Sequence, residues 1–550
     1  MKWCLPFILL FFALDAHAQV GNCEGSLGEA FLDAGNVRAR IPNNGGLFWR
    51  GSPHVYEVPK GGNANAIFAG TFWIAGLINN TVHAAASSYG PWEFWAGPLD
   101  DSGNPPVDCK IYDKVWEIRS EDLDAFVNGK GVSNDLKNWP WHLGAPVIDG
   151  DGNPDNYNLE GGDLPELLGD QRLWWVMNDR GNTHNASDTD PLGIEVHASA
   201  FAFTNAGALG NMTFYEHKII NKNTENIKDT FVGLYMDMDL GNFDDDFVGS
   251  DSLLHLGFAY NEDNDDEGHE GYSIAPPAVG FTFLETISAA NDGLDNNRDG
   301  VTDEIGEKLG TYAVMYYYGG GGVTGDPYAG AHYYNLMQAK WRDGRPVVEG
   351  LYGYDGLAPF KTTRFFYPGD PVTGAYWSEF NVDNQGTPNR GSDRKLITST
   401  GPFTLASADT ATIRFAIIWS RGKDHLDSVT VLKKDTKAVR SLAEILYSPA
   451  IRDDFLIPTS EENYVLGFDQ NFPNPFSQST TLRYSLPQPM QVRLAVYDIL
   501  GREVALLVDA QQDAGIHTAE FDAGSLPAGM YLARIELDFL QFTKRMVIIR

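Results

Sequence analysis

Basic residues, cysteine and long apolar runs are all in short supply in this chain. Lysine and arginine total 40 against 74 aspartates and glutamates, a formal charge of 40 − 74 = −34 over 550 residues. That deficit excludes the basic footprint that nucleic-acid binding needs. It equally excludes a hold on anionic lipid through basic side chains. Beyond the N-terminus no segment stays apolar for the ~20 residues a spanning helix requires, so no transmembrane segment is expected in the mature chain. There is no His-Glu-x-x-His, no Gly-x-Ser-x-Gly and no P-loop, which removes the standard signatures of zinc proteases, serine hydrolases and nucleotide hydrolysis. Repeats of 20–50 residues are absent too.

What is present begins with an address. Lys2 precedes an apolar core, Leu5 to Leu14, that is too short to cross a bilayer, and Ala16-His17-Ala18 is a small-x-small cleavage signal. Residues 1–18 are therefore expected to be a signal peptide, with Gln19 as the new N-terminus. Of the three cysteines, Cys4 leaves with that peptide. Cys23 and Cys109 then form the one internal pair available, in a compartment that permits disulfides. Two buried thiols are the alternative.

Aromatic residues make up 12% of the chain and charged residues 21%, which excludes a disordered acidic polymer. Residues 19–448 read as a β-rich body of one unit or two subdomains. Its aromatic and β-branched runs are separated by Gly, Asn, Asp and Pro turns. Strands are expected around 66–77, 173–177, 194–204, 212–221, 230–238, 254–260, 312–318 and 412–420. Strand following strand points to a mainly β fold of sandwiches with few helices. One helix is clear, because Leu426, Val429, Leu432, Val439, Leu442 and Ile445 recur at helical spacing. Residues 449–464, with two prolines and no sustained period, form the expected linker.

After the linker the charge changes character. Residues 465–550 hold 7 basic and 9 acidic residues, a net of −2, so the rest of the chain carries −34 + 2 = −32. From Tyr531 to Leu537 the odd positions are apolar or small, the period of a half-buried strand. About seven short strands fit this length, as in an immunoglobulin-like sandwich. Specific pieces then follow in order: Gln470-Asn471-Phe472-Pro473-Asn474-Pro475-Phe476, Val496-Tyr497-Asp498-Ile499-Leu500-Gly501-Arg502, Leu526-Pro527-Ala528-Gly529-Met530-Tyr531 and Lys544-Arg545-Met546-Val547. In these the tail resembles the type A C-terminal sorting domain of proteins exported by the type IX secretion system of Bacteroidota and their relatives. The resemblance implies the type IX machinery as a partner. It also implies passage through the periplasm to a secreted or outer-membrane cell-surface location. The body, through Phe68-Ala69-Gly70-Thr71-Phe72-Trp73-Ile74-Ala75-Gly76-Leu77, Tyr112-Asp113-Lys114-Val115-Trp116 and Gly401-Pro402-Phe403-Thr404-Leu405, is similar to an uncharacterised group of large exported proteins. That likeness bears on location, not on chemistry.

The acidic excess is concentrated. Between Asp237 and Glu304 there are 18 acidic residues and one basic residue. Such a density repels itself unless cations neutralise it, and oxygen ligands at alternating loop positions suit Ca²⁺. The best-patterned loop has Asp295, Asn297 and Asp299 at positions 1, 3 and 5, Gly300 at the turn, the Val301 carbonyl next and Asp303 at position 9. Gly306 stands where a bidentate Glu is usual, so Asp303 or Glu304 has to compensate. A second loop offers Asp149, Asp151, Asn153 and Asp155, with Pro154 at the glycine position. A third group is Asp237, Asp239, Asp244, Asp245, Asp246 and Asp251 around Gly241, with Asp237 and Asp239 two apart at a strand end and so on one face. Each of these is a calcium-type site or a solvated acidic turn. The third is also open to reading as an acidic catalytic cleft.

For catalysis, Glu195, Glu216, Asp237 and Asp239 lie on or near strands and are the carboxylates a secreted glycosidase-like hydrolase would draw on. Trp73, Trp92, Trp95, Trp116, Trp139, Trp141, Trp174 and Trp175 either stack on carbohydrate or fill β cores. His197 and His217 read as satisfied core histidines. Gly319 to Gly322 reads as a loop. The leading expectation is a calcium-stabilised exported β-protein with an adhesive, structural or glycan-binding role, its outside partner a glycan or a surface protein. The hydrolase is the alternative.

Overall fold

In the computed structural model of the chain, the described residues are 21–51, 53, 55–204, 207–288, 308–354, 361–446, 467–486, 489–498, 502–524, 526–537 and 540–549. The signal peptide, the 449–464 linker and the loop from Asp295 to Glu304 lie outside them. The fold is mainly β, with several antiparallel sheets. Strands form where the aromatic and β-branched runs predicted them. The expected 212–221 strand is Met212–Asn221, and other strands fall at Gln171–Asn178, Ile194–Ala202, Ile227–Asp237 and Thr410–Ser420.

Two large sheets make the body. A nine-stranded sheet has at its centre the order Ala278–Glu285, Thr410–Ser420, Met212–Asn221, Ile194–Ala202 and Gln171–Asn178. A six-stranded sheet carries Ala313–Tyr317, Lys395–Leu405, Ile227–Asp237 and Ala69–Ile78 side by side. The strands of both are buried along most of their length, which explains why they read as continuous apolar runs rather than clean alternations. The sheets face each other across one apolar core. Phe72 of the six-stranded sheet meets His217 of the nine-stranded one edge-on at 4.7 Å, and Tyr56, from a small three-stranded sheet, shares a 3.0 Å hydrogen bond with Thr213 of the nine-stranded one.

Helices cover the outer faces. Helix His425–Leu446 buries Val429, Leu432, Val439, Leu442 and Ala443, packing on the strands Ala278–Glu285 and Thr410–Ser420. Helix Gly330–Met337 lies on the six-stranded sheet, with Tyr333 edge-on to Trp73 at 4.9 Å. No helix among the described residues is long and apolar enough to cross a membrane. Cys23 and Cys109 are joined in a disulfide, Cα atoms 5.7 Å apart.

The tail has its own sheets. Three strands, Gly467–Phe468, Ser479–Leu486 and Gly515–Asp522, form one. Met490–Asp498, Glu503–Gln512, Gly529–Leu537 and Leu540–Ile548 form the other. These seven strands pair only with one another among the described residues. As the alternation predicted, Tyr531, Ala533, Ile535 and Leu537 point inward.

Candidate metal and ligand centre

The acidic group at Asp237 is built by strand register. In the six-stranded sheet Asp237 pairs with Lys395, and Lys395 with Tyr317, so the three stand in one row at the sheet's end. Period two puts Tyr235 on the same face, where it stacks on Trp73 at 5.3 Å. Asp237 is only 5% exposed. Its Oδ2 accepts a 2.6 Å hydrogen bond from the Tyr89 hydroxyl, while its Oδ1 accepts none from the described residues. One carboxylate oxygen from each of Asp237, Asp239 and Asp393 lies within 4.8 Å of the others. Lys395 Nζ donates to Asp393 Oδ2 at 3.1 Å and sits 5.8 Å from the Tyr89 ring centre.

Burial and mutual repulsion act together here. Burial first, then the charges of Asp239 and Asp393, push Asp237 up to about 8, against the Tyr89 hydroxyl and Lys395. Asp239 is raised to about 7 by burial and by Asp393. Burial raises the Tyr89 phenol, and Asp237 adds to it. Tyr89 also belongs to a patch of half-buried rings. Trp49 lies 5.9 Å from Tyr89, 6.1 Å from Phe68 and 6.1 Å from Trp92. Trp92 continues into a surface cavity of about 530 Å³ that Asn182, Thr183 and Asn185 also line.

More buried carboxylates lie just beyond. Asp246 is fully buried, and its Oδ2 accepts from the Leu240 N–H at 3.0 Å while Oδ1 has no partner among the described residues. Asp266, also fully buried, accepts from the N–H groups of Asn242 (3.0 Å) and Tyr272 (2.7 Å). Gly241 has φ +78°, and a Cβ there would fall 2.1 Å from Asp266 Oδ2, so only glycine lets the backbone pass this carboxylate. Burial pushes Asp245 to about 7 and Asp266 to about 6, and raises Asp246, with neighbouring acids adding to each. Ionised, such buried groups are stabilised by N–H donors, as at Asp266, or by a nearby cation.

In the second loop Asp149 and Asp151 come together with Asp163, one oxygen of each within 4.8 Å. Asp155 is outside that group, and Asn153 Oδ1 accepts from the Asp155 N–H at 3.3 Å. Asp163 is fully buried and accepts from Gly150 (2.9 Å) and Asn158 (2.6 Å). Sequence reasoning missed Asp163 and Asp393. The Gly161-Gly162-Asp163 turn was a signal for the first. Asp393 had only a two-residue spacing from Lys395.

The strand acids are engaged elsewhere. Glu195 accepts from the Leu99 N–H at 2.7 Å and bonds His197 Nε2 at 2.7 Å. Glu216 is paired with Arg172 at 3.7 Å and Arg414 at 2.5 Å. His217 is not the satisfied residue expected, since it is buried with neither ring nitrogen hydrogen-bonded to the described residues. Trp73, Trp95, Trp116, Trp139, Trp174 and Trp175 fill the core, while Trp92 and Trp141 are half-buried. Gly319 to Gly322 form a loop.

Residues 470–549 match the family of secretion system C-terminal sorting domains. The match supports a protein exported by a type IX secretion system to the cell surface or beyond it. No curated protein matches the chain. Among solved structures, a polysaccharide lyase aligns with 76% of this chain at 7% identity and a TM-score of 0.18. The chain spans 42% of that structure's length, and a likeness at this level carries no argument about fold or activity.

Proposed function

We propose that the chain is a calcium-stabilised surface or secreted β-protein of Bacteroidota or their relatives. It enters the periplasm through its signal peptide and leaves by the type IX machinery. Its role outside is adhesion, envelope structure or glycan binding. The observation that carries this reading is the tail: a sorting-domain match over 470–549 on strands that, among the described residues, pair only among themselves. A separately paired module at the chain's end can be recognised without opening the body's sheets. Calcium is supported by two convergent aspartate trios, Asp149–Asp151–Asp163 and Asp237–Asp239–Asp393. Their oxygen chemistry suits a hard cation of this size. The 295–304 loop is a third candidate from its sequence pattern.

Glycosidic hydrolysis asks for two carboxyls about 5–10 Å apart across a sugar-sized cleft. The acids that converge here have oxygens within 4.8 Å of one another, while Glu195 is hydrogen-bonded to His197 and the Leu99 N–H and Glu216 is ion-paired with Arg414. This arrangement favours a cation clamp. Deleting residues 465–550 tests the export reading. The truncated protein is expected to accumulate in the periplasm when cell fractions are probed, and surface delivery at the normal level would reject the assignment.

A further inference from the structure

We propose that Asp237, Asp239 and Asp393 hold a calcium ion that completes a binding site for neutral saccharides beneath the rings of Trp49, Phe68, Tyr89 and Trp92. This deepens the glycan-binding role proposed above and rests on that reading. The first support is an unpartnered atom: Asp237 is 5% exposed, and while its Oδ2 is bonded by Tyr89, its Oδ1 accepts no hydrogen bond among the described residues, where the trio's oxygens converge within 4.8 Å. A buried carboxylate oxygen left without a donor is costly unless something else supplies positive charge. The second support is charge balance. Three ionised carboxylates and the Lys395 ammonium leave a net of −2, to which Glu270 and Asp326 nearby add, an excess that a divalent cation reduces.

The third support is what remains open. Calcium takes 6–8 oxygens, and three side chains do not fill that shell. Vicinal hydroxyls of a sugar are oxygen ligands of the right hardness, and they share a molecule with an apolar C–H face that stacks on aromatic rings. Tyr89 couples the two halves, since its hydroxyl donates to Asp237 and its ring packs against Trp49 and Phe68. Trp92 extends the rings toward the amide-lined cavity with Asn182 and Asn185, groups that hydrogen-bond hydroxyls. The chain's charge of −34 repels anionic glycans, so the saccharide class is neutral.

The test uses the mature full-length protein. Calcium stoichiometry is measured by titration calorimetry, and binding to an array of neutral saccharides is read in calcium and in EDTA. D237N/D393N is expected to bind one calcium fewer than the parent. Saccharide binding is expected to fall at least tenfold in EDTA and in that variant, and about tenfold in W49A through the lost ring contact. D239N, at a less buried position, serves as a second variant with circular dichroism as the folding check. An unchanged calcium count in both aspartate variants, no saccharide bound, or binding indifferent to EDTA and to W49A would each overturn the proposal. If D237N/D393N titrates like the parent while D149N/D151N loses calcium, this site is refuted and the calcium-stabilised reading stands.

Discussion

At the scale of single residues, His217 shows what burial does to an ionisable group without a partner. Its ring lies between Phe72 at 4.7 Å, Phe415 at 5.5 Å and Trp175 at 6.2 Å. Neither nitrogen is hydrogen-bonded to any of the described residues. Burial pushes its pKa down to about 3, with the neighbouring Glu216 charge opposing weakly. The folded protein therefore keeps this imidazole neutral, whereas the unfolded chain protonates it below about 6.5. The linked stability is fully present above about pH 6.5 and is lost as pH falls from there toward 3, by up to about 1.4 kcal/mol per unit. Replacing the ring with leucine removes the linkage. Between pH 6.5 and 4.5 the stability difference between H217L and the parent is expected to move in the variant's favour by about 2–3 kcal/mol in urea unfolding. A gap independent of pH would mean that the ring is not held neutral.

At the scale of elements, helix His425–Leu446 follows directly from its sequence. Asp424 Oδ1 accepts from the Asp427 N–H at 2.8 Å and so caps the first turn. The apolar stripe then meets the outer face of the nine-stranded sheet. Leu432 is fully buried at the middle of this contact. L432A is expected to cost about 2–5 kcal/mol in denaturant unfolding, whereas K434A, on the polar face, is expected to stay within about 0.5 kcal/mol. Equal losses would show that the stripe is not the packing face. The strands were equally legible, because β-branched and aromatic runs bounded by Gly, Asn and Pro mark them locally. The order of strands was not. Thr410–Ser420 inserts between Ala278–Glu285 and Met212–Asn221, and no period in the chain records which distant run a strand will pair with. The candidate site divides the same way. Asp237 and Asp239 were visible as neighbours on one strand end. Asp393 and Trp49 join them only through sheet register and loop packing, which local pattern does not encode.

At the scale of the molecule, charge is the dominant fact. The −34 is borne almost wholly outside the tail, and half of it falls between Asp237 and Glu304. Folding draws part of that stretch inward: Asp237, Asp245, Asp246 and Asp266 are all buried. Salt can screen charges on the surface, but it reaches buried ones poorly. A bound divalent ion acts directly on the buried groups, and an ion that binds only the folded form stabilises it by mass action. At a hundred times the dissociation constant the gain is about 2.7 kcal/mol per site. For a body of this size that amounts to several degrees of melting temperature. Removing calcium with EDTA is therefore expected to lower the main thermal transition by several degrees. Restored calcium should reverse the shift, and sodium chloride at matched ionic strength should not. Recovery with sodium chloride alone would assign the effect to screening of surface repulsion. An unchanged transition, with metal analysis confirming that the ion has gone, would mean that the buried aspartates are carried protonated and that the fold needs no cation.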